Sequence, residues 1–193
     1  MIPTAPLRAR NRLAEIILAA LEKPEARREL AALGEADTSP AWLEGDDLAC
    51  RPLLRSRALA AAAALAARPA APIRSRAELL DAAGALFDRH LYFEVHELLE
   101  PSWRAAAGDE REALQGLIQI AVGYQHLANG NFAGARALLD EGCRRIEGRT
   151  LEGIGLEAFD LGVARSLERL FQIDWDTVPA FPRPSGGAGK ETS

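Results

Sequence analysis

Apolar residues recur at helical spacing along most of this chain, and alternating Val/Ile/Thr runs of the kind that make strands are missing. Between Leu7 and Lys23, the residues Leu7, Ala14, Ile17, Leu18 and Leu21 fall near one helix face, and Pro24 stops or kinks the run. Glu25 to Leu33 reads as a second short helix closed by Gly34. Thr38-Ser39-Pro40 reads as a helix start before Ala41 and Trp42, because a hydroxyl accepts first-turn amides and proline tolerates the first helical position. Ser56 to Arg68 forms an Ala-rich helix, stopped by Pro69-Ala70-Ala71-Pro72. We place the end of an N-terminal helical extension there, at residues 1–72.

Beyond that boundary the punctuation sharpens. Ser75 followed by Glu78 is a capping box, and Leu79, Leu80, Ala83, Leu86 and Phe87 then give one apolar face. A second helix starts near Tyr92, and a third runs from about Glu110 to Leu127. A fourth follows the Asn129-Gly130-Asn131 turn and ends near Gly148, and a fifth covers Leu156 to Phe171. Short turns between five helices predict an all-α fold, a compact helical bundle or array over residues 73–176. Residues 177–193 lack periodicity and are rich in Pro, Gly and Ser, the composition of a disordered tail.

Charge changes this picture in one respect. The formal net charge is -5, so no global basic field is present to hold nucleic-acid phosphates. Up to Arg76 the chain has twelve basic and nine acidic residues, and after it eleven and nineteen. The two parts are therefore expected to attract each other. Arg51, Arg55 and Arg57 form a local basic cluster without interleaved aromatics, which reads as solvated. The longest apolar run, Ala58 to Ala67, is too short to span a bilayer, and the opening stretch reads as helix rather than as a signal peptide. Two distant cysteines, Cys50 and Cys143, fit a reducing compartment, so a cytoplasmic location is expected.

The candidate chemistry lies on the second and third core helices. At about 100° per residue, Tyr92, Val95, Leu99 and Trp103 form an apolar arc. His96 and Glu100 stack in the gap between Trp103 and Phe93, while Glu94 and Glu97 are expected on the wetter side. A carboxylate and an imidazole among aromatic rings need a partner or a ligand. Pro101 removes the amide that would bond the Glu97 carbonyl. On the third helix, Gln115, Gln119, Val122 and His126 make a polar stripe, and Gly116 and Gly123 mark a face that a neighbouring backbone can approach.

These residues carry a family resemblance. FEVHELLEPSWR, followed by QGLIQIAVGYQHLANGNFAGARALL, resembles the bacterial and archaeal family called domain of unknown function 309. The match is through its HxxxExxW pattern at His96, Glu100 and Trp103 and through its second block. The resemblance covers roughly Leu79 to Ile146 and implies a helical fold without an established activity. Metal binding by the motif is suggested for the family.

Three readings follow. In the first, His96, Glu100 and His126 hold a divalent metal ion, with His96 and Glu100 as catalytic candidates for metal-assisted hydrolysis. In the second, Tyr92, Phe93, Trp103, Gln115, Gln119 and His126 line a pocket for a small polar ligand. In the third, the His/Glu/Gln set is a buried hydrogen-bond network that keeps the helices in register within a non-enzymatic protein- or peptide-binding module. The first helix, with Glu15 and Glu22, is a candidate surface for a homodimer or a protein partner.

Overall fold

The computed structural model describes residues 6–35 and 40–184. Among the described residues, eight α-helices carry the fold. The extension contributes α1 (Leu7–Glu22), α2 (Pro24–Gly34) and α3 (Arg51–Leu65). The remainder supplies α4 (Arg76–Phe87), α5 (Tyr92–Ala105), α6 (Gly108–Ala128), α7 (Phe132–Ile146) and α8 (Glu157–Glu168). The expected all-α class and the five later helices are observed, each within a few residues of its expected bounds. Pro24 opens α2 as its first residue, where its missing amide costs nothing. The helix start read at Thr38-Ser39-Pro40 falls mostly outside the described residues. After it, Ala41 and Trp42 lie in a turn, followed by a short 3₁₀ helix at Gly45–Cys50.

Local signals explain several boundaries. The Ser75 hydroxyl accepts the Glu78 amide at 3.1 Å, and the Glu78 carboxylate accepts the Arg74 amide at 2.7 Å. Asn131 caps α7 by accepting the Gly134 amide at 3.0 Å. A two-stranded hairpin, β1 (Thr150–Leu151) with β2 (Ile154–Gly155), sits between α7 and α8. Glu152 and Gly153 turn it with φ of 52° and 75°, the left-handed pair that a tight hairpin needs.

Gly116 and Gly123 do admit a neighbouring backbone, that of α7. A Cβ on Gly142 would lie 2.9 Å from the Gly116 carbonyl oxygen and 2.5 Å from Ile120 Cγ1. Alanine should raise helix propensity by about 1 kcal/mol, yet steric overlap at this crossing should dominate. We expect Gly142→Ala to cost about 1–3 kcal/mol net. The measurement is a urea titration, with a lower midpoint and an unchanged slope; a midpoint at or above that of the parent would refute the crossing.

The buried residues of both parts form one apolar cluster across Pro69–Pro72. The apolar face of α1, with Leu13, Ile16, Ile17, Ala20 and Leu21, is covered within the chain, while Glu15 and Glu22 on its charged side are exposed. Charge attraction between the parts takes concrete form in Arg57–Glu94 at 2.7 Å and in Arg68–Asp81. Arg55 donates to the Gly34 carbonyl at 2.9 Å while remaining exposed, and Arg57 is half-buried against Glu94, so both join elements.

Residues 177–184, part of the segment expected to be disordered, are ordered, and residues 185–193 lie outside the described residues. Phe181 is 2% exposed and meets Phe87 and Phe159 at ring distances of 5.2 and 5.6 Å. Pro179 lies over Gly162, where a side chain would collide with it, and Arg183 crosses Gly84 to pair with Asp88. A buried aromatic ring, the Pro179–Gly162 contact and the Arg183–Asp88 pair together override the Pro/Gly/Ser composition. Among the described residues, no helix is long and apolar enough to cross a membrane.

Candidate functional site

α5 and α6 are antiparallel. Tyr92 stacks on Tyr124 at one end (5.5 Å, 23°), and the Arg111 guanidinium covers the Trp103 ring at the other (4.3 Å). Arg111 also donates to the Trp103 carbonyl at 2.9 Å. This register puts Gln119 near the level of His96 and Gln115 near that of Glu100.

His96 and Glu100 are both half-buried on α5, as the wheel predicts. Their partners are local: His96 Nδ1 lies 2.9 Å from Glu97 Oε1, and Arg104 donates to Glu100 at 2.8 Å. The carboxylate orients the imidazole and leaves Nε2 as an acceptor when the ring is neutral. Glu97 was expected on a wet face; its role beside His96 arises from a side-chain rotation that a wheel does not encode.

Glu94 is the larger departure. Expected toward solvent, it is 0% exposed and held by Arg57 of α3, whose side chain is 18% exposed. The extension covers this side of α5, so a face that is outer in an isolated bundle becomes inner. Glu94 Oε1 has no hydrogen-bond partner. On the same flank Arg10 of α1 sits 4.0 Å over the Phe93 ring, making Phe93 a packing contact of the extension.

Tyr92 belongs to the core. Its ring meets Phe87, Tyr124, His90 and Trp175, and burial pushes its hydroxyl pKa well above the usual tyrosine range. His90, in the turn between α4 and α5, stacks on Tyr92 at 5.7 Å with φ of 58°. Burial lowers its pKa, favouring the neutral ring.

His126 is engaged elsewhere. The Asn131 side-chain oxygen takes the Gly134 amide, so its amide nitrogen donates to His126 Nδ1 at 2.7 Å, tying that ring to the start of α7. His96 lies instead beside Phe93 and Glu97. The three-ligand set His96, Glu100 and His126 therefore does not fit one ion as arranged. Among the described residues, no group of three or more His, Cys, Asp or Glu side chains is placed to hold one.

The helix-to-helix locks also lie elsewhere than in the His/Glu/Gln set. Tyr124 donates to Ser166 of α8 at 2.8 Å, Arg145 of α7 pairs with Glu112 of α6, and Arg57 pairs with Glu94. Gln115 and Gln119 are half-buried. Among the described residues, α5 and α6 carry four buried side-chain polar atoms without hydrogen-bond partners: Tyr92 Oη within the aromatic core, Glu94 Oε1 on the α3 side, and, beside the motif, the indole nitrogen of Trp103 and the side-chain oxygen of Gln119.

Comparison with known proteins agrees with the motif. A stretch of this chain is 38% identical over 69 residues to the "Uncharacterized protein YpuF" of Bacillus subtilis (strain 168). That alignment covers 34% of this chain and 40% of the relative, so the chain spans less than half of the relative's length. No solved structure matches. Residues 80–138, which carry His96, Glu100, Trp103, Gln119 and His126, match the family described as "Domain of unknown function (DUF309)", as the HxxxExxW pattern and the block after it led us to expect.

Proposed function

We propose that the protein is a binding module whose site is the edge between α5 and α6, and that its ligand presents a primary carboxamide group. The observation that carries this reading is the pair of orphaned polar atoms, Trp103 Nε1 and Gln119 Oε1. A buried donor or acceptor left unpaired costs about 1–3 kcal/mol, so a site that keeps one of each is complementary to a group offering the reverse. Helical side chains lean toward the N-terminus of their own helix. On antiparallel helices, Trp103 and Gln119 therefore lean toward each other, near the level of Glu100. A carboxamide would accept from the indole and donate its two hydrogens to Gln119 Oε1 and His96 Nε2, with Glu97 holding the imidazole in the accepting tautomer. We place the protein in the cytoplasm, a reading supported by its two free thiols, Cys50 and Cys143.

The test follows the Trp103 indole proton by NMR, assigned with Trp103→Phe, as nicotinamide, acetamide or acetate is added. Both amides should shift it saturably, acetate should not, and Gln119→Leu should weaken the amides at least tenfold while the protein stays folded. Unmoved indole signals would refute the site. A stoichiometric response to Zn²⁺ alone, lost in His96→Ala, would replace the carboxamide with a metal ion.

A further inference from the structure

A cavity away from the α5–α6 edge opens between α8 and the segment that follows it. It measures about 350 Å³ and is lined by Arg165, Ser166, Glu168, Arg169, Asp174 and Pro179 among others. Its far wall is the extended segment held by Phe181, by Pro179 over Gly162 and by the Arg183–Asp88 pair. Its floor is fixed too: the Ser166 hydroxyl accepts from Tyr124 and donates to the Gly162 carbonyl at 3.3 Å.

The charges around this cavity are unusual for the chain. Arg145, Arg149 and Arg183 are each held by a carboxylate. Arg165, in the last turn of α8, and Arg169, the first residue after its end, are both exposed and have no side-chain partner among the described residues, and neither does Glu168. Asp174 uses one oxygen to accept the Asp176 amide at 3.1 Å and keeps the other. Two guanidinium groups and two carboxylates thus border one cavity without neutralising each other. A shallow depression continues from it, sharing Glu168 and Arg169 and adding Phe171. Phe171 is 71% exposed, with its ring 5.1 Å from that of Phe132.

We propose that this cavity binds a zwitterion of dipeptide size with an apolar C-terminal side chain. Its carboxylate would lie between Arg165 and Arg169, its ammonium by Glu168 and Asp174, and its side chain against Phe171. The volume is within the range of small-ligand sites. Guanidinium groups suit a carboxylate because their N–H donors match its two oxygens. A simple anion would meet Glu168 and Asp174, and a simple cation would meet the arginines. A ligand carrying both signs at dipeptide separation answers all four groups.

Glycyl-L-phenylalanine titrated into the full chain, read at the Gly162, Ser166 and Thr177 amides by NMR, tests the assignment. Saturable shifts are expected that weaken as salt is added. N-acetyl-glycyl-phenylalanine amide, which has neither charge, should leave these amides unmoved. The double variant Arg165→Gln/Arg169→Gln should bind at least tenfold more weakly with an unchanged Tm, since both side chains are exposed. Glu168→Gln should weaken the dipeptide but strengthen inorganic phosphate. No shift with the dipeptide, equal binding in the double variant, or phosphate binding as tight as the dipeptide in the parent protein would each overturn the proposal.

Discussion

Arg57→Ala is expected to destabilise the protein by about 3–5 kcal/mol, because it leaves the Glu94 carboxylate buried without its counter-charge. For a chain of this size that corresponds to a fall in Tm of roughly 6–20 °C. Arg57 retains some contact with water, which favours the lower half of both ranges. The pair itself is a different quantity. Removing two charges from water costs several kcal/mol, so Arg57→Met with Glu94→Leu should restore most of the loss. Thermal melts of the single and double variants measure both effects. A loss below about 1 kcal/mol for Arg57→Ala, the level of an exposed pair, would show that α3 is not clamped to α5 in this way.

Phe181→Ala should cost about 3–5 kcal/mol, the range for deleting a buried phenylalanine. Its consequence should be local as well as global. Residues 178–184 are held by three contacts, namely Phe181 in the core, Pro179 on Gly162, and Arg183 with the Phe181 amide on Asp88. Loss of the first frees the others, since the segment has no ladder of its own. Amide exchange in 178–184 should therefore rise far more than in α6, and the glycyl-phenylalanine response should vanish with the wall of its cavity. Unchanged exchange there, with a loss below about 1 kcal/mol, would mean that Phe181 does not anchor the segment.

How much was legible depended on the kind of signal. The faces of α4 and α8 were readable because Leu79, Leu80, Phe87, Phe159 and Val163 point at a core that every helix in the neighbourhood shares. Gly116 and Gly123 were readable because a missing side chain on a helix of good formers has few explanations besides close approach. His96, Glu100 and Trp103 were placed correctly on one edge of α5. The convergence of His126 with them was not seen, because a stripe of polar residues says which face they share and not which neighbour occupies each end of it. His126 is bonded by the Asn131 cap, five residues away in its own turn.

Periodicity, capping residues and proline punctuation determined the helical class, the five later helices and the polar edge of α5 and α6 from the sequence alone, since each acts within a few residues. Tertiary structure decided the rest. It buried Glu94 instead of exposing it, gave His96 to Glu97, stacked His90 on Tyr92, and turned part of an apparently structureless tail into the wall of a cavity. Three of these outcomes depend on what covers a residue from a distant part of the chain, whereas the His96–Glu97 contact joins neighbours through a side-chain rotation. The partners are α3 for Glu94, Trp175 above His90, and Phe87 and Phe159 for Phe181. Local patterns carry no record of such long-range neighbours, and burial, charge pairing and side-chain direction are set by them.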